Sequence, residues 1–142
     1  MSGDDLPPDE PLPWGEESAG PSTHERGREG EEEGVRWLVA QGYDPLDQNV
    51  RNEAGEIDLI AREGDTLCFV EIKARLTPVY GEAVEAVGPH KQRKISRAAI
   101  LYLAESKVPE CPCRFDVLGL DWIEGAWRYT LVRDAFPFRG RR

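Results

Sequence analysis

Gly55-Glu56-Ile57-Asp58-Leu59-Ile60-Ala61-Arg62-Glu63-Gly64-Asp65-Thr66-Leu67-Cys68-Phe69-Val70-Glu71-Ile72-Lys73-Ala74-Arg75 is the stretch whose reading decides the fold. Two β-branched, apolar runs, 57–61 and 67–72, flank Glu63-Gly64-Asp65. That pattern predicts a strand, a tight turn and a second strand. Side chains alternate faces along a strand. The alternation puts Glu56 and Asp58 on one side of the first strand, with Ile57 and Leu59 on the other. On the second strand Glu71, Lys73 and Arg75 share a face, opposite Val70, Ile72 and Ala74.

Charged groups inside apolar strands are costly unless something offsets their desolvation. A divalent cation is one such compensation. Two carboxylates from neighbouring strands, with a lysine two residues beyond the second, can hold a hard ion and an attacking water. The same residues also suit a solvent-facing sheet edge with ordinary cross-strand ion pairs. Residue types alone leave both readings open.

Upstream, residues 27–41 follow a helical period, with an apolar stripe of Val35, Leu38 and Val39 that Trp37 broadens and Gly42 terminates. Glu31 lies one turn before Val35 on that inward stripe, as a candidate ligand or as an acid favoured near a helix start by the dipole. Tyr43 to Arg51 reads as a first strand, with Pro45 suited to an edge. A turn at 52–55 then leads into the hairpin, giving a three-strand antiparallel meander.

Downstream, Leu76 to Gly81 reads as a loop, and Ala83, Val84 and Val87 suggest a short helical turn. Pro89 opens a longer helix to about Ser106, with Ile95, Ala98, Ala99 and Tyr102 inward and Lys91 beginning the same stripe. Arg93, Lys94 and Arg97 make this helix basic, either as a solvated face or as a phosphate-contacting one. Strands follow at Arg114–Leu120 and Trp127–Val132. The order αβββαββ predicts an α/β fold, a mixed sheet flanked by helices.

The chain's 142 residues suit one domain, expected over 27–138. Residues 1–26 are acidic and proline-rich without periodicity, which predicts a disordered extension; 139–142 form a short basic tail. The net charge of −9 is a property of the N-terminal region, because residues 1–34 hold eleven acids against two arginines. The remainder is balanced, so acidity does not argue against a nucleic-acid partner. That tail could alternatively mimic DNA over a basic groove. No apolar run approaches the ~20 residues of a membrane span. The acidic N-terminus does not read as a signal peptide, and a cytoplasmic protein with no membrane partner is expected. Of the three cysteines, Cys68 reads as core, while Cys111-Pro112-Cys113 lacks the second pair or spaced histidine of a zinc site.

Gly30-Glu31, Gly55-Glu56-Ile57-Asp58-Leu59-Ile60, Phe69-Val70-Glu71-Ile72-Lys73 and Arg114-Phe115-Asp116-Val117 together resemble the YraN-like family, over about residues 27–133. Those small bacterial proteins look like restriction-endonuclease-fold nucleases related to archaeal Holliday junction resolvases. The resemblance implies that the Asp…Glu-x-Lys signature falls on Asp58, Glu71 and Lys73, and the helical acid of the resolvase branch on Glu31. It implies Mg²⁺ or Mn²⁺ held by Asp58, Glu71 and the carbonyl of Ile72, with Glu31 assisting and Lys73 orienting or deprotonating the water. Arg75 and the helix residues Lys91, Arg93, Lys94 and Arg97 are the expected DNA contacts. The chain departs from the family pattern at Glu33 and Gly34, where apolar residues are usual, which predicts a looser first helix.

The expectation from sequence is therefore a metal-dependent endonuclease acting on DNA, including branched DNA, for which a homodimer would suit two equivalent strands. The alternatives are a non-catalytic nucleic-acid-binding module with a nuclease fold and a protein-interaction domain whose carboxylates only form ion pairs.

Overall fold

The computed structural model describes residues 23–76 and 87–138. The elements run α1 (Thr23–Ala40), β1 (Asp44–Asn52), β2 (Gly55–Glu63), β3 (Thr66–Arg75), α2 (Pro89–Ser106), β4 (Cys113–Ile123) and β5 (Ala126–Phe136). This is the mixed α/β order expected, with two helices flanking one five-stranded sheet. Of the extension expected over 1–26, residues 23–26 belong to α1, which begins at Thr23, and 1–22 lie outside the described residues; so do 77–86, within the loop and short turn expected over 76–87, and the tail at 139–142.

The strands lie in chain order, β1-β2-β3-β4-β5. Short turns make β1–β2, β2–β3 and β4–β5 antiparallel, whereas β3 and β4 are parallel. A parallel pair needs a long crossover, and the segment carrying α2 supplies it. Turn chemistry fits each hairpin. Asn52 Oδ1 accepts from the backbone N–H of Ala54 and Gly55, and Gly64 (φ 61°) and Gly125 (φ 82°) take left-handed positions that glycine adopts freely.

Each helix covers a different face. On one side Ile57, Ile60, Leu67, Phe69, Phe115 and Val117 pack with Ile95, Ala98 and Ala99 of α2. On the other, Leu59, Cys68, Val70, Ile72, Leu118 and Leu120 pack with Leu38 of α1. Glycine decides how closely α1 lies. A Cβ on Gly34 would stand 3.1 Å from Ile72 Cγ2 and 3.2 Å from Leu118 Cδ2, and one on Gly30 would stand 2.7 Å from Ala74 Cβ. The expectation of a looser helix at Gly34 is therefore reversed: the missing side chain lets the helix settle onto the sheet. The buried line of α1 runs Gly30, Gly34, Leu38, and Val39, expected inward, is 49% exposed.

Side-chain alternation fails in β2. Ile57 packs on the α2 face but Leu59 on the α1 face, although strict alternation would put both on one side. The slip lies at Asp58. The β1 residue facing it, Asn49, which stands between the pairs Gln48↔Leu59 and Val50↔Ile57, has φ 50°, a left-handed conformation that asparagine tolerates better than most residues.

On the α1 face of the sheet, in β4 opposite Val70, the strands are tied by a buried carboxylate. Asp116 is fully buried and accepts from Tyr43 Oη at 2.7 Å, from Arg114 Nε at 2.9 Å and from the backbone N–H of Asp134 at 2.9 Å. Arg114 also pairs with Glu63, which Arg133 grips through two hydrogen bonds.

Gly30→Ala tests the close helix approach. Alanine favours a helix interior by about 1 kcal/mol, yet here the rigid Ala74 methyl blocks it, so urea denaturation is expected to show a net loss of about 1–2 kcal/mol.

Candidate functional site

The β2–β3 ladder runs from the Glu63–Thr66 turn to Leu59↔Val70 and stops. The next residues along each strand are Asp58 and Glu71. Beyond that point the backbone N–H of Ile72 donates to Asp58 Oδ2 at 2.8 Å. A side chain thus takes a main-chain donor, and the sheet opens where the two carboxylates stand. This explains why the alternation slips at Asp58.

The opening is a cleft of about 650 Å³ lined by Arg28, Glu31, Asn49, Arg51, Glu56, Asp58, Glu71, Ile72, Lys73, Ala74 and Lys91. A smaller recess of about 210 Å³ shares Glu56, Asp58, Glu71 and Lys91 and reaches Lys94. Glu31, Asp58, Glu71, Ile72 and Lys73, expected together, therefore line one cavity. Glu31 arrives from α1 and Lys91 from α2, so the two helices bracket the open end of the sheet from opposite faces.

The electrostatics of the acids agree with the geometry. Burial, then the charge of Glu71, pushes the Asp58 carboxyl up to about 7, against the stabilising N–H of Ile72. Burial likewise raises Glu31, and Asp58 and Glu56 add to it. Like charges crowded in a low-dielectric space hold protons that isolated carboxylates would release. Lys91 answers part of this charge: its Nζ lies 2.9 Å from Glu71 Oε2. Burial lowers the Lys91 ammonium, but Glu71, Asp58 and Glu56 more than reverse that.

The expected DNA contacts divide. Lys91 and Lys94 line the cavities, and Arg93 and Arg97 are exposed on α2 without lining them. Arg75 is turned away, its guanidinium 3.1 Å from Asp121 Oδ1 and largely buried. Three lining residues went unmarked in the sequence: Arg28, Asn49 and Arg51 come from α1 and β1. Only the fold brings those elements to the carboxylates, although the left-handed Asn49 marks the distortion beside Asp58.

The donor set fits a hard divalent cation in kind, since two adjacent carboxylates lack a full complement of hydrogen-bond donors. Among the described residues, no three or more His, Cys, Asp or Glu are gathered into a ready-made metal cluster. Mg²⁺ keeps several of its waters and is commonly held by one or two carboxylates, so Asp58 and Glu71 suffice as anchors, with Glu31 beyond them.

Two substitutions separate these acids by role. The sign for Asp58 follows from its raised value: the folded state holds a proton that the unfolded chain releases above about 4. Stability therefore falls as pH rises from about 4 to 7 and then levels. Asp58→Asn keeps an acceptor for Ile72 and abolishes that loss, so its metal-free melting temperature should exceed wild type at pH 7.5 and converge with it near pH 4. Asp116→Asn should instead cost about 3–5 kcal/mol at pH 7.5, because Arg114 loses its buried partner.

Residues 30–120 match the family described as Uncharacterised protein family UPF0102. A UPF0102 protein of Chlorobium chlorochromatii is 51% identical over 100 residues, covering 70% of this chain and 77% of that protein. One from Symbiobacterium thermophilum is 44% identical over 111 residues, covering 78% of this chain and 94% of its own length. One from Syntrophus aciditrophicus is 42% identical over 110 residues, covering 78% and 87%. The aligned region contains α1 from Gly30, the opening at Asp58 and Glu71, and the buried Asp116, so the chain belongs to the UPF0102 family.

Proposed function

We propose that this protein is a metal-dependent endonuclease that hydrolyses DNA phosphodiester bonds, with a restriction-endonuclease-like arrangement of its sheet and helices. One observation carries the reading: Asp58 and Glu71 adjoin where the β2–β3 ladder opens, in a cleft that also holds Lys73 and Glu31. Mg²⁺ or Mn²⁺, when bound there, supplies Lewis-acid polarisation of a phosphoryl oxygen and a lowered pKa for water.

The chain's own residues divide the remaining work. Asp58 and Glu71 anchor the cation, with the carbonyl of Ile72 as a further oxygen donor. Ile72 N–H fixes the Asp58 carboxylate through the 2.8 Å bond, so that acid is oriented before anything binds. Lys73, two residues beyond Glu71 on the same face, lines the cleft and neutralises a phosphate lying over the carboxylates. Glu31 is the group positioned to take a proton from water, because burial, and then the charges of Asp58 and Glu56, raise its affinity for one. Arg28 and Arg51 on one flank, with Lys94 on α2, supply the positive rim along which a phosphate backbone runs. A branched duplex cut by a two-fold dimer in the cytoplasm is the biological setting this chemistry would suit. Among the described residues, no helix is long and apolar enough to cross a membrane.

A second reading, a DNA-binding module that does not cleave, has one observation in its favour. Lys91 already occupies Glu71, and among the described residues no third carboxylate completes a cluster.

Incubating the full chain with linear, flapped and four-way DNAs in Mg²⁺ or Mn²⁺ separates the two. The nuclease reading expects cleavage that Asp58→Asn abolishes and Lys73→Ala reduces by about 10²-fold or more. It also expects a Mg²⁺-dependent rise in melting temperature that is absent in Asp58→Asn. Salt-dependent DNA binding with neither cleavage nor a Mg²⁺ response would establish the second reading in its place.

A further inference from the structure

Lys91 stands on α2, one turn before the buried Ile95 and two before Ala98 and Ala99, so its side chain leans over the sheet. Its ammonium reaches Glu71 at 2.9 Å; Glu71 is 7% exposed in its side chain, and Lys91 is 53% exposed. The acid is buried, and the base can leave without disturbing the core. That asymmetry sets this pair apart from Arg114 and Asp116, where the acid is fully buried and the arginine only 19% exposed. The Lys91 charge is also felt by Glu31 and Asp58, so one ammonium tempers three of the cleft's acids. A divalent cation anchored by Asp58 and Glu71 would have to occupy the same neighbourhood.

We infer that Lys91 is a built-in surrogate for the divalent cation, holding Glu71 in the metal-free protein and yielding its place when metal enters. The inference rests on the metal-site reading of this cleft and adds a role for a residue beyond the Asp58, Glu71 and Lys73 set. Two cations at one carboxylate repel each other, so metal entry expels the ammonium. Its length and exposure carry it towards the rim, beside Lys94, where it can meet a phosphate oxygen of the substrate. Binding of metal and of the phosphate backbone are thereby linked: the cation frees the group that the anion then uses. Lys91 is a positioning residue here, acting on Glu71 first.

Mn²⁺ titration of the full chain without DNA, followed by calorimetry or by the EPR signal of free Mn²⁺, tests this directly. Lys91→Met keeps the aliphatic stem and removes the competitor; Lys91→Gln is a second variant retaining polarity, and Arg93→Met controls for loss of any positive charge on α2. Both Lys91 variants should bind Mn²⁺ roughly five- to tenfold more tightly than wild type, with Arg93→Met changing affinity by less than about twofold. Binding by the Lys91 variants alone, with wild type silent, also supports the surrogate role. The role is overturned, with the metal site intact, if wild type binds Mn²⁺ and the Lys91 variants bind equally or more weakly. It is likewise overturned if Arg93→Met strengthens binding as much. If no form binds Mn²⁺, the metal-site reading itself fails and this role fails with it.

Discussion

A fully buried acid, Asp116, and a half-buried one, Asp58, face opposite fates in this sheet, and that difference organises the molecule. Asp116 is surrounded by donors: the Tyr43 hydroxyl, the Arg114 guanidinium and the Asp134 backbone N–H all point at it. Its charge is spent on tying the residue before β1 to β4 and β5. Asp58 receives one backbone N–H, from Ile72, and faces another carboxylate, Glu71. A buried carboxylate with a cationic partner and several donors is a structural fastener; one pressed against a second carboxylate stores unfavourable electrostatics.

The position of that repulsion follows from backbone geometry. Had β2 and β3 stayed paired past Leu59 and Val70, Ile72 N–H would have been available to the ladder instead of to Asp58. The distortion is shared by β1, where Asn49, facing Asp58 between the pairs Gln48↔Leu59 and Val50↔Ile57, takes a left-handed conformation. The helices then complete the arrangement. Gly30 and Gly34 let α1 sit against Ala74, Ile72 and Leu118, which carries Glu31 to the cleft. Ile95 and Ala98 seat α2 on the other face, which carries Lys91. Neither helix contributes an apolar side chain to the cavity lining that includes Lys73; each contributes a charge from the edge of its buried stripe.

Much of this was legible in the sequence because it depended on local periodicity. The hairpin, the meander and the crossover helix from Pro89 all follow from alternation and turn residues. What was not legible depended on departures from those periods or on distant packing. Alternation wrongly assigned Ile57 and Leu59 to one face, since no local rule marks a strand that slips at a side chain capping a neighbouring backbone. Gly34 looked like a weakness in the helix, because its use lies in atoms of β3 and β4. Arg75 looked like an outward cation, and only the parallel pairing of β3 with β4 sets it beside Asp121. The Arg114-Phe115-Asp116-Val117 block carried part of the family resemblance, yet its acid is a fastener: it stands opposite Val70 on the α1 face and does not line the cleft.

The polarity of the cleft bears most directly on what could enter it. Its lining includes Glu31, Glu56, Asp58 and Glu71 against Arg28, Arg51, Lys73 and Lys91. An acidic floor alone would repel a phosphodiester, and a basic rim alone would bind one without acting on it. With both present, a phosphate is drawn to the rim and opposed by the floor until positive charge is added between them. Lys91 supplies some of that charge from within the chain, but a single ammonium with three rotatable donors has no fixed geometry at which to hold an anion. A divalent ion supplies twice the charge with directed coordination. On the proposed reading cation would precede phosphate, and a chain that lacked Asp58 would keep its rim while losing the carboxylate that caps Ile72 N–H at the opening in its sheet.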